Sequence, residues 1–472
     1  MQEIIHLYRE LTGNTPERIE EIPGAVSTRR YFRIYQKHET CIGTYSPDTR
    51  ETIAFLEFSE KFSSLGIRVP AVMAVSADRL YYLQTDLGDQ RLHEMVTGRT
   101  TEALGEKLMG YYAAAIRELA QMQFLAHEKI DYSVCVPREA FDRQSVLWDL
   151  NHFKYYFLKP SGLPFDEQLL EDAFQQFADQ FRRLEATHFM FRDFQTRNIM
   201  IREDAAWLID FQGGRKGPVQ YDLASLVYES KAALTPADRS GIIENYIQQA
   251  TTYSHMDRDR FMDGFYLAAL IRILQALGAY GLRGLVEKKA VFLQSIPAGL
   301  GNLGEVLEKL PGSAIQGYFR ELLEQVAGLK DNYRTLPGAF EGITVTVYSF
   351  SYRKPLPDDL TGNGGGFVYD CRFLTNPGRC DELKMLDGFD EAVRRFLEED
   401  PEVELFLDSV KKQAGAAIKA YRENGYRNLM FSFGCTGGKH RSVYLSHRFA
   451  AWCRSLEGVR TIEIHRELGR EL

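Results

Sequence analysis

His188-Phe189-Met190-Phe191-Arg192-Asp193-Phe194-Gln195-Thr196-Arg197-Asn198-Ile199-Met200-Ile201, followed after a short polar turn by Ala206-Trp207-Leu208-Ile209-Asp210-Phe211-Gln212, is the stretch from which the rest of the chain is read. Apolar runs flank each acid, which places Asp193 and Asp210 at strand ends or in adjoining loops. Asp193 and Asn198 are five residues apart, and Asp210 follows twelve residues later. Transfer of a phosphoryl group to a hydroxyl needs such a set. One carboxylate accepts or orients the hydroxyl proton, while an amide oxygen and a second carboxylate hold Mg²⁺ against the nucleotide phosphates. Any one of the three is an ordinary turn residue. All three at this spacing, each beside an apolar strand, point to phosphoryl transfer, although a fold that has lost activity can keep the same residues.

Around this centre the chain has 472 residues, roughly three domain-equivalents at about 150 residues each. Apolar residues make up 44% and charged residues 26%, which argues against long disorder. With 57 basic and 65 acidic side chains the formal charge is −8, so the chain is not built to coat nucleic acid over its whole surface. No uninterrupted apolar run of about 18 residues is present and the first residues lack a signal-peptide core, so a cytoplasmic protein without a membrane span is expected. Six cysteines, none spaced as CxxC, support neither a disulfide framework nor a zinc ribbon.

The texture changes along the chain. Residues 30–35 and 80–83 suit strands, and 51–65, about 102–127 and about 166–185 carry apolar residues at helical spacing. A small β-rich lobe (1–90) is therefore expected before a helical lobe (91–330). The segment 331–341 reads as a linker, with alternating strand and helix from 342 onward.

The pattern Arg192-Asp193-Phe194…Arg197-Asn198-Ile199-Met200, then Ile209-Asp210-Phe211-Gln212…Gly217-Pro218-Val219-Gln220-Tyr221-Asp222, resembles the aminoglycoside phosphotransferase and choline kinase family. It is closest to the anomeric kinases that phosphorylate O1 of N-acetylmuramate and N-acetylglucosamine. The resemblance covers roughly 1–330 and implies a two-lobed protein kinase-like fold, ATP or another NTP, and Mg²⁺. By that likeness Asp193 is the catalytic base, Asn198 and Asp210 bind Mg²⁺, and Arg197 and Asp222 organise the loop. Two departures stand out: Phe191 occupies a position often held by His, and no Val-Ala-Ile-Lys strand exists, Cys41-Ile42-Gly43-Thr44-Tyr45 taking its place without a lysine. The small-residue turn Pro23-Gly24-Ala25-Val26-Ser27-Thr28-Arg29-Arg30 is a candidate phosphate clamp, with Gly24, Ser27, Thr28 and Arg30 as nucleotide contacts. Arg215 and Lys216 are either readers of a second anionic group on the acceptor or solvated loop charges.

A second constellation lies near the C-terminus. The apolar run 427–433 meets Gly434-Cys435-Thr436-Gly437-Gly438-Lys439-His440-Arg441-Ser442 and then a helical stretch. Strand, glycine loop and helix together form a phosphate-binding arrangement. A Walker A loop fits poorly; a cysteine phosphatase loop with Cys435 as nucleophile and a non-catalytic anion cradle both remain. With Asp370-Cys371-Arg372-Phe373-Leu374-Thr375-Asn376-Pro377, the motif resembles the C-terminal domain of the RNase adaptor RapZ over about 342–472. That likeness implies a small parallel α/β domain that binds glucosamine-6-phosphate and contacts RNA and protein. It implicates Asp370, Arg372, Asn376, Thr436, Gly437, Gly438, Lys439, His440 and Arg441. Residues 381–408 carry 3 basic and 11 acidic side chains against 12 and 5 from 411 onward, so this part is polarised rather than uniformly basic. The expectation is a multidomain α/β and α+β chain: an amino-sugar kinase fused to a sugar-phosphate-binding domain. The alternative is a degenerate kinase serving as an adaptor for RNA or protein.

Overall fold

The computed structural model describes residues 1–22, 28–99, 102–287, 289–312, 314–315, 317–333, 342–359 and 366–472. Its contacts separate into two compact units. The first comprises Met1–Phe153, Phe165–Leu277 and Ala298–Gly328; the second comprises Lys154–Pro164, Gly278–Pro297 and Leu329–Leu472. Most of the expected linker, 334–341, lies outside the described residues.

The first unit opens with helix α1 (Gln2–Thr12) and strands β1 (Arg18–Ile22), β2 (Arg30–Gln36) and β3 (Glu39–Tyr45). Helix α2 (Thr49–Ser64) leads to β4 (Val72–Val75) and β5 (Tyr81–Thr85). The strands form one antiparallel sheet in the order β1-β2-β3-β5-β4. Period-two alternation divides β2 between two environments. Phe32 and Ile34 pack with Cys41, Leu83 and the α1 residues Ile4, Leu7 and Tyr8. Arg29, Tyr31 and Arg33 face the opposite side, into a cleft. A Cβ on Gly43 would sit 2.6 Å from Ile4 Cγ2, so the close seat of α1 on β3 depends on that glycine. The Asp48 side chain caps α2 by accepting from the Arg50 amide. The buried face of α2 then sets Phe55 against Phe211 (5.2 Å between ring centroids), and Phe58 and Phe62 edge-on to Phe189. One helix is thereby packed on both acid-bearing segments.

The helical part includes α3 (Leu92–Val96), α4 (Glu106–Gln121) and α5 (Arg143–Phe153), then the helices Glu167–Phe181, Gln220–Val227, Pro236–Thr251, Arg258–Tyr280, Ile296–Lys309 and Tyr318–Ala327. Helix α4 continues into a π-helical turn, Met122–Ala126. Two short ladders carry the acids: β6 (His188–Met190) with β9 (Arg215–Gly217), and β7 (Ile199–Arg202) with β8 (Ala205–Leu208). The β7–β8 turn is a two-residue hairpin with Glu203 and Asp204 both at positive φ, 53° and 55°. Contrary to the expectation from uninterrupted apolar runs, the helical stretch Arg258–Val286 is long and apolar enough to cross a bilayer by length and composition. Its apolar window is nevertheless 67% buried within the protein, as a core helix's is.

The second unit centres on β10 (Ile343–Ser351), flanked by β12 (Asn428–Cys435) and β13 (Val459–His465), with β11 (Phe367–Asp370) and β14 (Arg470–Glu471) at the edges. All pairings are parallel except β13–β14. Eight of the nine β10 residues are buried, the near-continuous burial of a parallel strand covered on both faces. Val393, Leu397, Val403, Leu407, Phe449 and Cys453 from the helices Glu391–Glu398, Pro401–Glu423 and Arg441–Arg454 join the core. Segments 154–164 and 278–297 belong to this unit through close contacts. A Cβ on Gly281 would lie 2.0 Å from the Tyr156 carbonyl oxygen, and Gly162 meets Pro355.

Candidate active site

The loop after β6 carries Asp193, and a fully buried carboxylate shapes it. Asp222, on the Gln220–Val227 helix, accepts the amide hydrogens of Phe191 (2.7 Å) and Arg192 (2.9 Å) and one from Gln123 Nε2 (3.0 Å). Burial pushes the Asp222 carboxyl up to about 7, while those three donors pull the other way. Gln123 sits in the π-helical turn and accepts from Tyr246 Oη. Arg192, at φ 81°, forks onto both oxygens of Asp149 at 2.9 Å and donates to Tyr221 Oη. Glu229 accepts from the Thr196 amide and hydroxyl, holding the far end of the loop.

These supports bring the predicted triplet together. Asn198 Nδ2 donates to the Asp193 carbonyl (2.8 Å), and the Ile209 amide donates to the Asn198 carbonyl (3.0 Å). The Asn198 amide oxygen is thereby left as its acceptor atom. Asp210 follows at φ 68°, a left-handed conformation that costs a non-glycine residue about 1–2 kcal/mol. Its Oδ1 takes two donors, Gln212 Nε2 (2.7 Å) and Arg29 Nη1 (3.2 Å). Among the described residues Oδ2 accepts nothing, so one carboxylate oxygen is fixed and the other is available. Asp193 Oδ1 lies 3.8 Å from Arg272 Nη2, whose guanidinium is tied to Ser225 Oγ and Gln275 Oε1.

Asn198 and Asp210 line a cleft of about 490 Å³. Ile22, Ile42, Pro70, Leu87, Met200 and Ile209 give it apolar walls, and residues 84–89, from the end of β5 onward, also line it. Arg29, Arg33, Arg91 and Arg197 bring positive charge. An apolar slot leading to an amide oxygen, a carboxylate oxygen and these guanidinium groups suits a nucleotide with Mg²⁺, an ion that takes only one or two of its oxygen ligands from protein. No group of three or more His, Cys, Asp or Glu that could hold a metal occurs among the described residues.

Several predicted positions fall elsewhere. Gly24 and Ser27 lie outside the described residues, and Thr28 is exposed. Arg30 does not line the cleft; it pairs with Glu21 of β1 at 2.8 Å, because alternation along β2 turns 29, 31 and 33 inward instead. Arg215 is not free to read an acceptor. It is 7% exposed, with Nε and Nη2 both donating to the Gly213 carbonyl. Lys216 lies 4.9 Å over the Tyr132 ring, and neither residue lines the cleft. Sequence reading missed Gln123, Gln212, Arg272 and Glu51, and took Arg29 only as one of two charges, with Arg30, in the candidate clamp. Arg272 lies 79 residues from Asp193 with no motif to link them.

The C-terminal glycine loop follows β12 as expected. Cys435 Sγ accepts from the Gly438 amide (3.2 Å) and sits 3.1 Å from Ser442 Oγ. Gly438 has φ 69°, and a Cβ there would come 2.8 Å from the Ser351 nitrogen. Two expectations change. Arg441 is buried, and its Nη1 donates to the carbonyls of Arg372 (2.7 Å) and Leu374 (2.8 Å), so that nitrogen is committed to backbone. Cys435 is 3% exposed, which disfavours a phosphatase nucleophile. His440 Nε2 is 3.1 Å from the Leu383 carbonyl, Asp370 pairs with Arg372, and Asn376 caps the Gly378 amide. Thr436, Gly437 and Lys439 are the exposed members of the loop. Behind it, Ser349, His465 and Glu463 are fully buried and bonded in series at 2.9 and 2.8 Å, with His447 and Arg454 also on Glu463.

Residues 18–261, more than half of the chain, match the phosphotransferase enzyme family. The chain belongs to this family. Residues 343–469 match the RapZ C-terminal domain, so the phosphotransferase domain is followed by a domain of that type. Among curated relatives, a nucleotide-binding protein of Acidothermus cellulolyticus is 39% identical over 173 residues, spanning 32% of this chain and 54% of the relative. One of Mycobacterium tuberculosis is 38% identical over 148 residues, spanning 31% and 48%. The chain thus spans about half the length of the curated relatives it matches. Among solved structures, choline kinase from Cryptosporidium parvum aligns with a TM-score of 0.45 and 12% identity over 69% of this chain and 97% of that one. Choline kinase LicA from Streptococcus pneumoniae aligns with a TM-score of 0.41 and 10% identity over 65% and 98%.

Proposed function

We propose that this phosphotransferase family member moves the γ-phosphoryl group of ATP, or another NTP, to a hydroxyl of an amino sugar, the anomeric hydroxyl of an N-acetylated hexosamine. The observation that supports the reading is that Asn198 and Asp210 line one cleft while Asn198 Nδ2 holds the backbone carbonyl of Asp193. Asp193 accepts the hydroxyl proton as the oxygen attacks phosphorus. The Asn198 amide oxygen and Asp210 Oδ2 hold Mg²⁺, which when bound neutralises the phosphates. Catalysis in such a site is alignment plus charge stabilisation. The choice of an amino sugar rests on the likeness of both halves to proteins that handle such molecules. The C-terminal domain then acts as a sensor for an amino-sugar phosphate, its exposed loop residues Thr436, Gly437 and Lys439 offering backbone amides and a cation.

A panel of free sugars screened for ATP consumption, with phosphorus NMR of the product, tests the reading. A β- or α-anomeric phosphate of an N-acetylated hexosamine is the expected product. Consumption confined to amino alcohols such as choline would replace the acceptor, and no consumption with any acceptor would favour an adaptor role. The adaptor reading is favoured by the absence of a lysine from β3.

A further inference from the structure

A nucleotide's phosphates need a fixed cation in the cleft, and β3 supplies none. Its cleft-side residue is Ile42, and Thr44 is buried against Gln84 Nε2 (3.4 Å). Arg29 lies at the entry to β2, with its side chain 11% exposed and lining the cleft. Its Nη2 donates to Glu51 of α2 at 2.7 Å, and its Nη1 donates to Asp210 at 3.2 Å. The Tyr31 hydroxyl lies 3.4 Å from the same Nη1. Arg29 thus spans the distance between the helix packed on the catalytic segments and the carboxylate assigned to the metal. A planar guanidinium can hold a carboxylate with one edge and present the other to phosphate oxygens, which a single ammonium point charge cannot do as rigidly.

We propose that Arg29 is the phosphate clamp of this site, anchored by Glu51, so that the ion pair between strand and helix is made from β2 rather than from β3. The proposal rests on the nucleotide-dependent reading above. When the triphosphate enters, Arg29 keeps Glu51 and exchanges its contact with Asp210 Oδ1 for a phosphate oxygen. The carboxylate is then released to the cation at the moment the cation arrives.

The test separates the base from the phosphates. Adenosine, ADP and AMP-PNP with Mg²⁺ are titrated calorimetrically into the full chain and into its Arg29→Met, Arg29→Lys and Glu51→Gln variants. In the unaltered protein, affinity should climb as phosphates are added. Arg29→Met should bind AMP-PNP at least about tenfold more weakly while adenosine affinity stays within about twofold. Arg29→Lys should recover part of the loss, and Glu51→Gln should fall between the two. Equal weakening of adenosine and AMP-PNP would reveal a purely architectural residue and overturn the proposal, as would unchanged AMP-PNP binding. If Arg29→Met does not fold, Arg29→Lys and Glu51→Gln decide: both must weaken AMP-PNP but not adenosine. An unaltered chain that binds no AMP-PNP would overturn the nucleotide reading itself, an outcome distinct from a variant that binds as well as its parent.

Discussion

Asp193 and Asp222 are both carboxylates near one loop, yet their surroundings assign them different work. Asp193 is half-exposed beside Arg272, whereas Asp222 is sealed and consumed by amide donors. Replacing Asp193 with Asn should lower kcat by about 10²–10⁴-fold and leave nucleotide affinity nearly unchanged, as steady-state kinetics and calorimetry would show. Replacing Asp222 with Ala strands two buried amide hydrogens at about 1–3 kcal/mol each, so it should depress both melting temperature and activity. Gln212 offers a finer probe. Its Nε2 fixes Asp210 Oδ1, and its own Oε1 is buried without a partner. Gln212→Leu should therefore raise the Mg²⁺ concentration needed for half-maximal nucleotide binding while the fold, followed by circular dichroism, persists.

At the scale of elements, α1 against β3 and the buried polar chain of the second unit each impose a packing constraint. Helix α1 sits so close to β3 that Gly43→Val would drive a branched side chain into Ile4; destabilisation of at least about 1–3 kcal/mol should appear in urea unfolding. In the second unit, burial alone would raise the Glu463 carboxyl, but His465, His447 and Arg454 together hold it below the ordinary glutamate value of 4.5. The unfolded chain then binds that proton more readily than the folded one. The stabilisation is present above 4.5 and is lost as pH falls through the lowered folded value. Melting temperature should therefore drop on the acid side, and Glu463→Gln should lower it at neutral pH while flattening that acid slope. Strand and helix placement was legible because apolar periodicity survives burial: 30–35, 51–65 and 166–185 correspond to β2, α2 and the Glu167–Phe181 helix. Which face of β2 met the cleft was not legible, since alternation gives two faces without saying which is inside. Both Arg29 and Arg30 therefore read as charges of the candidate clamp, with nothing to separate them.

On the scale of the whole chain, the triplet at 193, 198 and 210 was readable because its spacing is local, while Arg272, Gln123 and Asp149 reach the same loop only through tertiary packing. In the C-terminal domain, the strand–loop–helix order was readable but the direction of Arg441 was not, because a basic residue at a helix start can turn to carbonyls as readily as to an anion. If the two domains communicate, adding glucosamine-6-phosphate should shift the nucleotide KM or kcat of the full chain by at least about fivefold, in line with ordinary coupling energies. A flat response would leave the loop as a store or an anchor rather than a governor. The fork of Arg192 on Asp149 has its own implication for control. That guanidinium finds its counter-charge in Asp149 of the same polypeptide, so the contact itself calls for no phosphate added to the loop.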